Sequence, residues 1–325
     1  WNHNGTVAVP VAQHSHSVIY VSSMHPECSR GYNNITKQVE KDWAAGANFQ
    51  TMWNAVFSST KIIKQVLVTS FNEWMAIKYA KEDGTVFFVD VFNPEFSRDI
   101  EMMKGGYNDN FYLQLVRNVR NFKLEKAKHC QYPIQTIKIH KATEKTWENV
   151  KATYVDPAGD AIPRDYMNAV GTDSYIDKSN RNDITKIKVA HDRKNVYFMI
   201  KTKDSITTYG NQDLNWMNIF ISTSGNPSFE GYNYVINRKP DGKGITSVEK
   251  STGGYNWENI GNAEYVVNDA VLQISIPLHI LGLDSNNYSF EFKVVDNVTN
   301  YDDIMDYYVS GDSAPIGRLN YSYGY

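Results

Sequence analysis

The sequence contains little cysteine and no excess of either charge. Its 325 residues include two cysteines, Cys28 and Cys130, which are too few for a disulfide scaffold or a zinc cluster. Lys and Arg number 33 against 36 Asp and Glu, which gives a formal charge of -3. A protein that follows nucleic-acid phosphates or an anionic membrane surface is not predicted, and we expect no nucleic-acid partner.

Long apolar runs and the common nucleotide and hydrolase motifs are also missing. No segment approaches the roughly 18 consecutive apolar residues of a membrane helix, so we expect no membrane span. There is no phosphate-binding glycine loop, dinucleotide fingerprint, Gly-x-Ser-x-Gly elbow or Cys-x-x-Cys pair. No leader peptide opens the chain, which begins at Trp1 and soon enters a strand-like segment. We therefore expect that an N-terminal portion of the protein precedes this sequence.

Aromatic residues, in contrast, are abundant. Phe, Trp and Tyr make up 13% of the chain, and Asn and Asp are frequent. Aromatic rings stack on the C–H faces of sugar rings, and amides and carboxylates bind their hydroxyl groups. The composition favours neutral, hydroxyl-rich ligands.

The first part of the chain alternates predicted strands and helices. Apolar and helical periodicities predict strands at 7–12 and 66–71 and helices at 48–57 and 109–122. Strand-helix-strand order implies parallel pairing with right-handed crossovers, as in (β/α)8 barrels. Two such units cannot close a barrel of eight, so we predict that residues 1–130 are the C-terminal portion of a TIM-type barrel.

The predicted strand 66–71 ends in three residues suited to sugar chemistry. Functional side chains of (β/α)8 barrels lie at the carboxyl ends of the strands, and Asn72, Glu73 and Trp74 occupy that position. Glu73 could act as acid, base or nucleophile, Asn72 could bind a hydroxyl, and Trp74 offers a flat apolar face. Equally, such a Glu could cap a helix and such a Trp could pack in a core.

Hydrolysis of a glycoside usually needs a second carboxylate. Asp99 and Glu101, in a predicted loop, are the candidates, although Glu101 could instead pair with Arg98. Polar residues after the first strand and in the following loop are candidates for binding sugar hydroxyls: Gln13, His14 and Arg30.

The second part of the chain is rich in short β-type segments. Alternating apolar and polar residues, separated by turn signals, predict an antiparallel β-sandwich over residues 146–325, after a linker at 131–145. The predicted strands lie at 185–190, 196–200, 217–221, 232–236, 271–276 and 289–294.

The first part resembles the C-terminal end of glycoside hydrolase family 99 barrels and their WbsX-like relatives. The matching residues are Thr69–Trp74, Ile100-Glu101, Tyr107 and Asn110–Leu113. The resemblance implies a glycoside hydrolase with Glu73 as a catalytic residue. That family has a second catalytic Glu three positions later, where this chain has Ala76. The alternative is therefore a carbohydrate-binding protein with a degenerate, non-catalytic barrel.

The second part resembles family 9 carbohydrate-binding modules. The matching residues are Trp147–Asn149, Asn182–Ile184, His191–Phe198, Asn215–Ile221 and Gly317–Tyr321. In that family two aromatic side chains sandwich a sugar, and the resemblance assigns these roles to Trp216 and to Tyr307 or Tyr308. Trp257, in a glycine-rich loop, is either a third sugar contact or a loop anchor. A haem-binding relative, with Met217 and His191 as ligands, is a further alternative.

Acidic residues near the start of the second part could bind a cation. Asp160, Asp177 and Asp183, together with Asp156 and Asn182, could supply the hard oxygen ligands that Ca2+ prefers. They do not follow the EF-hand pattern, and solvated turns explain them equally well.

Taken together, the sequence predicts a secreted, extracellular carbohydrate-active protein. Its partner would be an oligo- or polysaccharide, it would need no organic cofactor, and a structural Ca2+ is possible. The second part would hold a glycosidase on its polysaccharide and so raise the effective substrate concentration.

Overall fold

The computed structural model describes residues 2–15, 17–73, 75–103, 106–123, 131–167, 172, 174–179, 181–210 and 213–324. The chain forms two compact units, Trp1–Lys126 and Ala127–Tyr325. Of the described residues, 34% lie in strands and 14% in helices, so the protein is mostly β.

The first unit contains seven strands, two α-helices and two short 3-10 helices within its described residues. The strands are β1 (Asn2–His3), β2 (Thr6–Pro10), β3 (Tyr32–Asn33), β4 (Gln38–Val39), β5 (Gln65–Thr69), β6 (Ile77–Ala80) and β7 (Val86–Val89). The α-helices are α1 (Ala47–Phe57) and α2 (Asn110–Phe122), and the 3-10 helices are Pro26–Cys28 and Trp43–Ala45.

The centre of the first unit is a parallel strand pair with a helix between its strands in sequence. β2 pairs with β5 from Thr6↔Gln65 to Pro10↔Thr69, and β1 adds to β2 in antiparallel orientation. Val7 and Val9 of β2 pack against Phe49 and Trp53 of α1, because both elements bury their apolar side chains in one core. The predicted helices at 48–57 and 109–122 are confirmed, and so is the parallel pairing of the first two predicted strands.

The predicted TIM-type barrel is wrong. The described part of the chain has three α-helices in all and lacks the helices that would build a (β/α) barrel. The remaining strands of the first unit form antiparallel hairpins, β3 with β4 and β6 with β7. A strand-helix-strand unit buries its own apolar faces locally, so its sequence pattern does not specify how many further units follow.

The second unit contains helix α3 (Glu144–Trp147), the 3-10 helices Leu278–Leu281 and Ile304–Tyr308, and thirteen strands within its described residues. The strands are β8 (Ala152–Val155), β9 (Arg164–Met167), β10 (Ser174–Asp177), β11 (Ile184–His191), β12 (Asn195–Thr202), β13 (Asn218–Ser222), β14 (Tyr234–Ile236), β15 (Ile245–Gly253), β16 (Asn256–Asn268), β17 (Val271–Pro277), β18 (Phe290–Asp296), β19 (Asp312–Ala314) and β20 (Tyr321–Tyr323). All six strands predicted for this part are confirmed, with ends shifted by up to two residues.

Eleven of these strands form one antiparallel sheet that curls into a nearly closed barrel. The order is β19-β18-β13-β14-β15-β16-β17-β12-β11-β8, with β20 also paired to β18. The predicted two-layer sandwich is wrong for a physical reason. β16 pairs with β15 over its first part and with β17 over residues 264–268, so one long strand joins the two halves in a single sheet.

The segment predicted as a linker is packed onto the second unit. Ile137, Ile139 and Ala142 are buried with Trp147, and the Trp147 indole N–H donates to Gln273 at 2.7 Å. The residues from 135 onwards therefore belong to the folded β-unit.

Candidate functional site

Polar side chains of the first unit meet at the carboxyl ends of β2 and β5. Because the two strands are parallel and in register, the residues after them lie at the same edge of the sheet. Gln13 and His14 follow β2, and Asn72 and Glu73 follow β5. Trp74, the third residue of the predicted site, lies outside the described residues.

Arg98 is the centre of this group. Its Nη2 lies 2.8 Å from Glu73 Oε2 and 3.9 Å from Asp90 Oδ1, and its Nη1 lies 3.5 Å from His14 Nε2. We refer to Glu73, Asp90, Arg98 and His14 as the Arg98 cluster. The Glu73 side chain is 48% exposed and that of Asp90 is 9% exposed, so the cluster opens to solvent on the Glu73 side.

The two carboxylates of the cluster are close together. Because both oxygens contact the same nitrogen, Glu73 Oε2 and Asp90 Oδ1 lie at most about 6.7 Å apart. Retaining glycosidases hold their two carboxyl groups about 5 to 5.5 Å apart, and inverting enzymes hold them about 6.5 to 9.5 Å apart. This upper limit is compatible with either arrangement.

His14 is a neutral member of the Arg98 cluster at pH 7. Partial burial lowers its pKa below the usual 6.5, the positive charge of Arg98 lowers the pKa further, and Asp90 opposes the shift. A neutral imidazole can accept or donate a hydrogen bond, which suits contact with a hydroxyl group.

Asp99 is buried beneath the site. One of its carboxylate oxygens accepts the backbone N–H of Glu73, and the other accepts the Ser97 hydroxyl at 2.8 Å. Both oxygens are engaged and the side chain is 1% exposed, so Asp99 positions the Glu73 backbone and does not face solvent. This burial argues against the catalytic role predicted for Asp99.

Arg30 supports the same loop from below. Its guanidinium packs against the rings of Tyr107 and Phe111, at 4.4 and 4.5 Å from their centroids, and donates to the Asp99 carbonyl. Burial lowers the pKa of Arg30 to about 10. A fully buried arginine cannot contact a sugar at the surface, so the sugar-binding role predicted for Arg30 is replaced by a packing role.

Three other predicted residues of the first unit lie around the cluster. Asn72 is exposed, and Gln13 is half-buried and donates to Asn34 at 3.2 Å. Glu101 is half-buried, and its backbone N–H donates to the Phe71 carbonyl. The Glu101–Phe71 hydrogen bond joins the loop around residue 100 to the segment that follows β5.

Asp90 was not identified from the sequence, although the sequence contains a pattern that points to it. Asp90 directly follows β7, just as Glu73 lies close after β5, so an apolar strand ending in a carboxylate occurs twice. Its carboxylate accepts the Val21 N–H at 3.1 Å, and its own N–H donates to the Val21 carbonyl at 2.7 Å. These bonds fix Asp90 beside Arg98.

The second unit has an aromatic cleft of about 610 Å3. Among its lining residues are Phe229, Glu230, Tyr255, Asn256, Tyr301 and Asp302. The Tyr255 and Tyr301 rings are 4.9 Å apart, and Trp257 packs edge-on behind Tyr255 at 5.6 Å. Tyr255 Oη and Trp257 Nε1 are buried without a hydrogen-bond partner. Trp257 therefore backs the cleft and does not line it.

Trp216 and Tyr308 do not form an exposed sugar platform. Trp216 is 2% exposed, packs edge-on against Tyr209 and Tyr265, and donates its indole N–H to the Thr207 carbonyl at 2.9 Å. Gly317 lies so close to the Tyr308 ring that a Cβ there would overlap it. Stacking on a sugar needs an open ring face, and the burial of Trp216 removes it.

The predicted calcium ligands separate into two groups. Asp177 lies 3.5 Å from Arg164 and accepts from Ser179 N at 2.8 Å, so its carboxylate is occupied. Asp160 instead belongs to a group with Asp156 and Asp312 in which one oxygen of each lies within 4.8 Å of the others. Asp183 is electrostatically coupled to this group. We call Asp156, Asp160, Asp183 and Asp312 the acidic cluster.

Electrostatic repulsion is visible in the acidic cluster. Burial raises the pKa of Asp156 to about 7 and that of Asp312 to about 8, and the charges of the other carboxylates contribute to both shifts. Asp312 lies 129 positions after Asp183 in the sequence, so no local pattern connects them.

The residues considered for haem are engaged in packing. His191 Nδ1 lies 2.7 Å from the Tyr323 hydroxyl and its ring stacks on Tyr288 at 3.8 Å, while Met217 is fully buried.

No helix in the described ranges has both the length and the apolar character needed to cross a membrane. Comparisons with protein-family models, with curated proteins and with solved structures gave no match to this chain. The resemblances to family 99 glycosidases and family 9 carbohydrate-binding modules therefore stay predictions.

Proposed function

We propose that this chain is a carbohydrate-active protein whose first unit carries out glycoside hydrolysis with Glu73 and Asp90. The observation that carries the proposal is the contact of two carboxylates with Arg98: Glu73, which lies after the parallel strand β5, and Asp90, which follows β7. The resemblance around Asn72-Glu73 to family 99 glycosidases supports it. Asp90 takes the place of the second carboxylate that Ala76 cannot provide.

Glu73 is assigned the role of nucleophile or base. Its carboxylate is ion-paired with Arg98, and an ionised carboxylate can attack an anomeric carbon or accept a proton from water. Its exposure gives a substrate access to it, whereas Asp90, which lies deeper and accepts the Val21 N–H, is assigned the role of the acid that protonates the leaving oxygen. This chemistry needs two carboxylates and water, so the proposal includes no organic cofactor.

The test is hydrolysis of a panel of defined oligo- and polysaccharides by the full chain, followed by mass spectrometry of released sugars. Glu73→Gln and Asp90→Asn should each lower the rate by about 10² to 10⁴-fold, the scale of a lost acid or base. Glu82→Gln, at the exposed turn between β6 and β7, is the matched control and should retain the wild-type rate.

Absence of sugar release by the wild type would refute the hydrolase proposal. Binding without hydrolysis would support the alternative, a non-catalytic carbohydrate-binding protein. Equal activity of wild type and Asp90→Asn would exclude Asp90 from the mechanism.

A carbohydrate-binding role for the second unit is favoured by the aromatic cleft. The cleft combines ring faces of Tyr255 and Tyr301 with the acidic side chains of Glu230 and Asp302 and the amide of Asn256. Such a cleft would keep the chain bound to a polysaccharide, and the proposal includes a secreted protein.

Glycan-array binding and calorimetry of the full chain test this second role. Tyr301→Ala should weaken saccharide binding by about 10 to 100-fold, the scale of one stacked aromatic contact. Tyr166→Ala, an exposed tyrosine on β9, should leave the affinity unchanged. Equal affinity of Tyr301→Ala and wild type would exclude the cleft as the binding site.

A further inference from the structure

The barrel of the second unit has a seam where its first and last strands meet. β8 is at one end of the strand order, while β19 and β20 pair with β18 at the other. Across this seam the Tyr154 hydroxyl donates to the Ser322 carbonyl at 2.7 Å, and the Tyr321 hydroxyl donates to the Val155 carbonyl at 3.2 Å. Within the described residues, β8 and β20 are not paired as strands. Side-chain hydrogen bonds join them instead.

The acidic cluster lies at this seam. Asp156 directly follows β8, Asp183 directly precedes β11, and Asp312 is the first residue of β19. The Asp312 carboxylate accepts the Ile184 N–H at 2.6 Å, and Asp156 Oδ1 accepts the Tyr321 hydroxyl at 3.2 Å. Carboxylates from both sides of the seam therefore face one another.

Three carboxylate oxygens of the cluster are buried and have no hydrogen-bond partner: Asp156 Oδ2, Asp160 Oδ1 and Asp183 Oδ1. The Asp156 residue is only 6% exposed, so bulk water has little access to its unpaired oxygen. Buried polar atoms in native proteins are nearly always satisfied, and an unpaired carboxylate oxygen is among the costliest exceptions. Loop geometry alone does not account for three such atoms in one cluster.

The protein's own cations do not balance the cluster. The Lys293 ammonium, also fully buried, interacts with Asp156 and Asp312 but donates its hydrogen bonds to Ser313 and the Pro315 carbonyl. Lys203 is 3.9 Å from Asp183 and half of its side chain is in solvent. Arg164 binds the Asp160 carbonyl and pairs with Asp177. When the four carboxylates are ionised, one buried ammonium leaves the cluster with a net negative charge.

We propose that a divalent cation that prefers oxygen ligands, and specifically Ca2+, binds Asp156, Asp160 and Asp312 and so closes the barrel seam. Asp183 lies beside these three ligands. Ca2+ accepts six to eight oxygen ligands in flexible geometry, which suits carboxylates from three separate segments. Asp183 Oδ2 accepts the Gly159 N–H at 2.8 Å and so shapes the loop between two of the ligands. The proposal is independent of the hydrolytic and sugar-binding roles.

The first experiment measures thermal unfolding of the full chain after treatment with a chelator and again after addition of Ca2+ alone. A cation that binds only the folded state should raise the midpoint by about 5 to 10 °C at a hundredfold excess over its Kd. Mg2+ should give a smaller shift, because it retains its water ligands and demands octahedral geometry. An unchanged midpoint with Ca2+ would overturn the proposal.

Variants separate a binding site from a merely acidic surface. Asp156→Asn and Asp312→Asn should each abolish the Ca2+-induced shift, and in chelator they should unfold at or above the wild-type temperature because one repelling charge is gone. Asp165→Asn, an exposed residue on β9, should keep the full shift. A full Ca2+ response in both cluster variants would place any Ca2+ effect elsewhere.

Terbium luminescence of the wild type provides a readout that does not depend on folding of a variant. The Tyr321 hydroxyl contacts Asp156, so excitation of tyrosine should sensitise Tb3+ held in the cluster. Emission should fall when Ca2+ is added. Absence of sensitised emission that Ca2+ can displace would contradict the proposal.

Discussion

Polar residues with several partners decide much of the local geometry in this protein. Arg98 brings Glu73, Asp90 and His14 together, while Asp99 fixes the Glu73 backbone beneath them. In the second unit, His191 bridges strand β11 and the C-terminal strand through Tyr323 and stacks on Tyr288. Each arrangement depends on partners distant in sequence, because burial makes an unpaired polar group costly.

His191 should make stability fall in mildly acidic solution. Burial lowers the pKa of His191 below 6.5, and Asp192 only partly opposes this shift. Below pH 6.5 the unfolded chain therefore binds a proton at His191 that the folded chain does not bind. The contribution of His191 to the free energy of unfolding is present above pH 6.5 and is lost progressively as the pH falls below it. In His191→Gln, which stays neutral and can still bond Tyr323, the unfolding midpoint should fall less, or rise more, than in the wild type when the pH is lowered from 7.5 to 5.5.

The control for this prediction is His279→Gln, an exposed histidine in the same unit. It should leave the pH dependence of unfolding as it is in the wild type. An unaltered slope in His191→Gln would show that His191 does not contribute.

At the scale of elements, the packing of α1 against α2 depends on one glycine. Gly46 precedes α1 in the left-handed conformation, with φ of 72°, and its carbonyl accepts Gln114 Nε2 of α2 at 3.1 Å. A Cβ at Gly46 would overlap Gln114 Oε1 and approach Phe111 to 2.9 Å. Glycine is thus required both by the backbone conformation and by the close approach of α2.

Gly46→Ala should destabilise the protein by about 2 to 4 kcal/mol, because left-handed strain and overpacking add. Gly84→Ala measures the left-handed strain without overpacking. Gly84 also has a positive φ, 81°, but a Cβ there meets nothing within 4 Å. Its cost should be about 1 to 2 kcal/mol. Urea unfolding measures both, and equal losses would show that α2 moves aside at little cost.

At the scale of the whole molecule, each unit has its own hydrophobic core. The core of the second unit includes Phe198, Ile219, Leu272 and Phe292, and these come from four strands of one sheet. Residues 131–325 should therefore fold without the first unit. We expect cooperative thermal unfolding of this fragment with a β-type circular dichroism spectrum. A non-cooperative transition would show that the second unit needs the rest of the chain.

The sequence predicted elements far better than architecture. The apolar periodicity of 48–57 and 109–122 identified two helices, and the alternation in the second part identified six strands, because each pattern reports burial of one local face. The hairpin β6–β7 was missed, and its strands are largely exposed. Exposed strands carry a weaker apolar signal.

The candidate sites divide in the same way. Glu73 and His14 were identified from strand ends, and Asp160 and Asp183 from acidic residue types, since these are local properties. Asp90 and Asp312 became apparent only with tertiary contacts. Conversely, Trp216 has the residue type of a sugar platform but is buried, which no neighbouring residue in the sequence reveals.

The sequence by itself determined the two long helices, the main apolar strands, the division into an α/β-type and a β-type part, and the chemical character of the strand ends. Only the tertiary structure decided that β16 joins both halves of the second unit in one curled sheet, and that the first unit holds one parallel pair instead of a barrel. The reason is that side-chain periodicity is set by each element's own buried face. Strand order and seam closure depend on contacts between residues far apart in the chain.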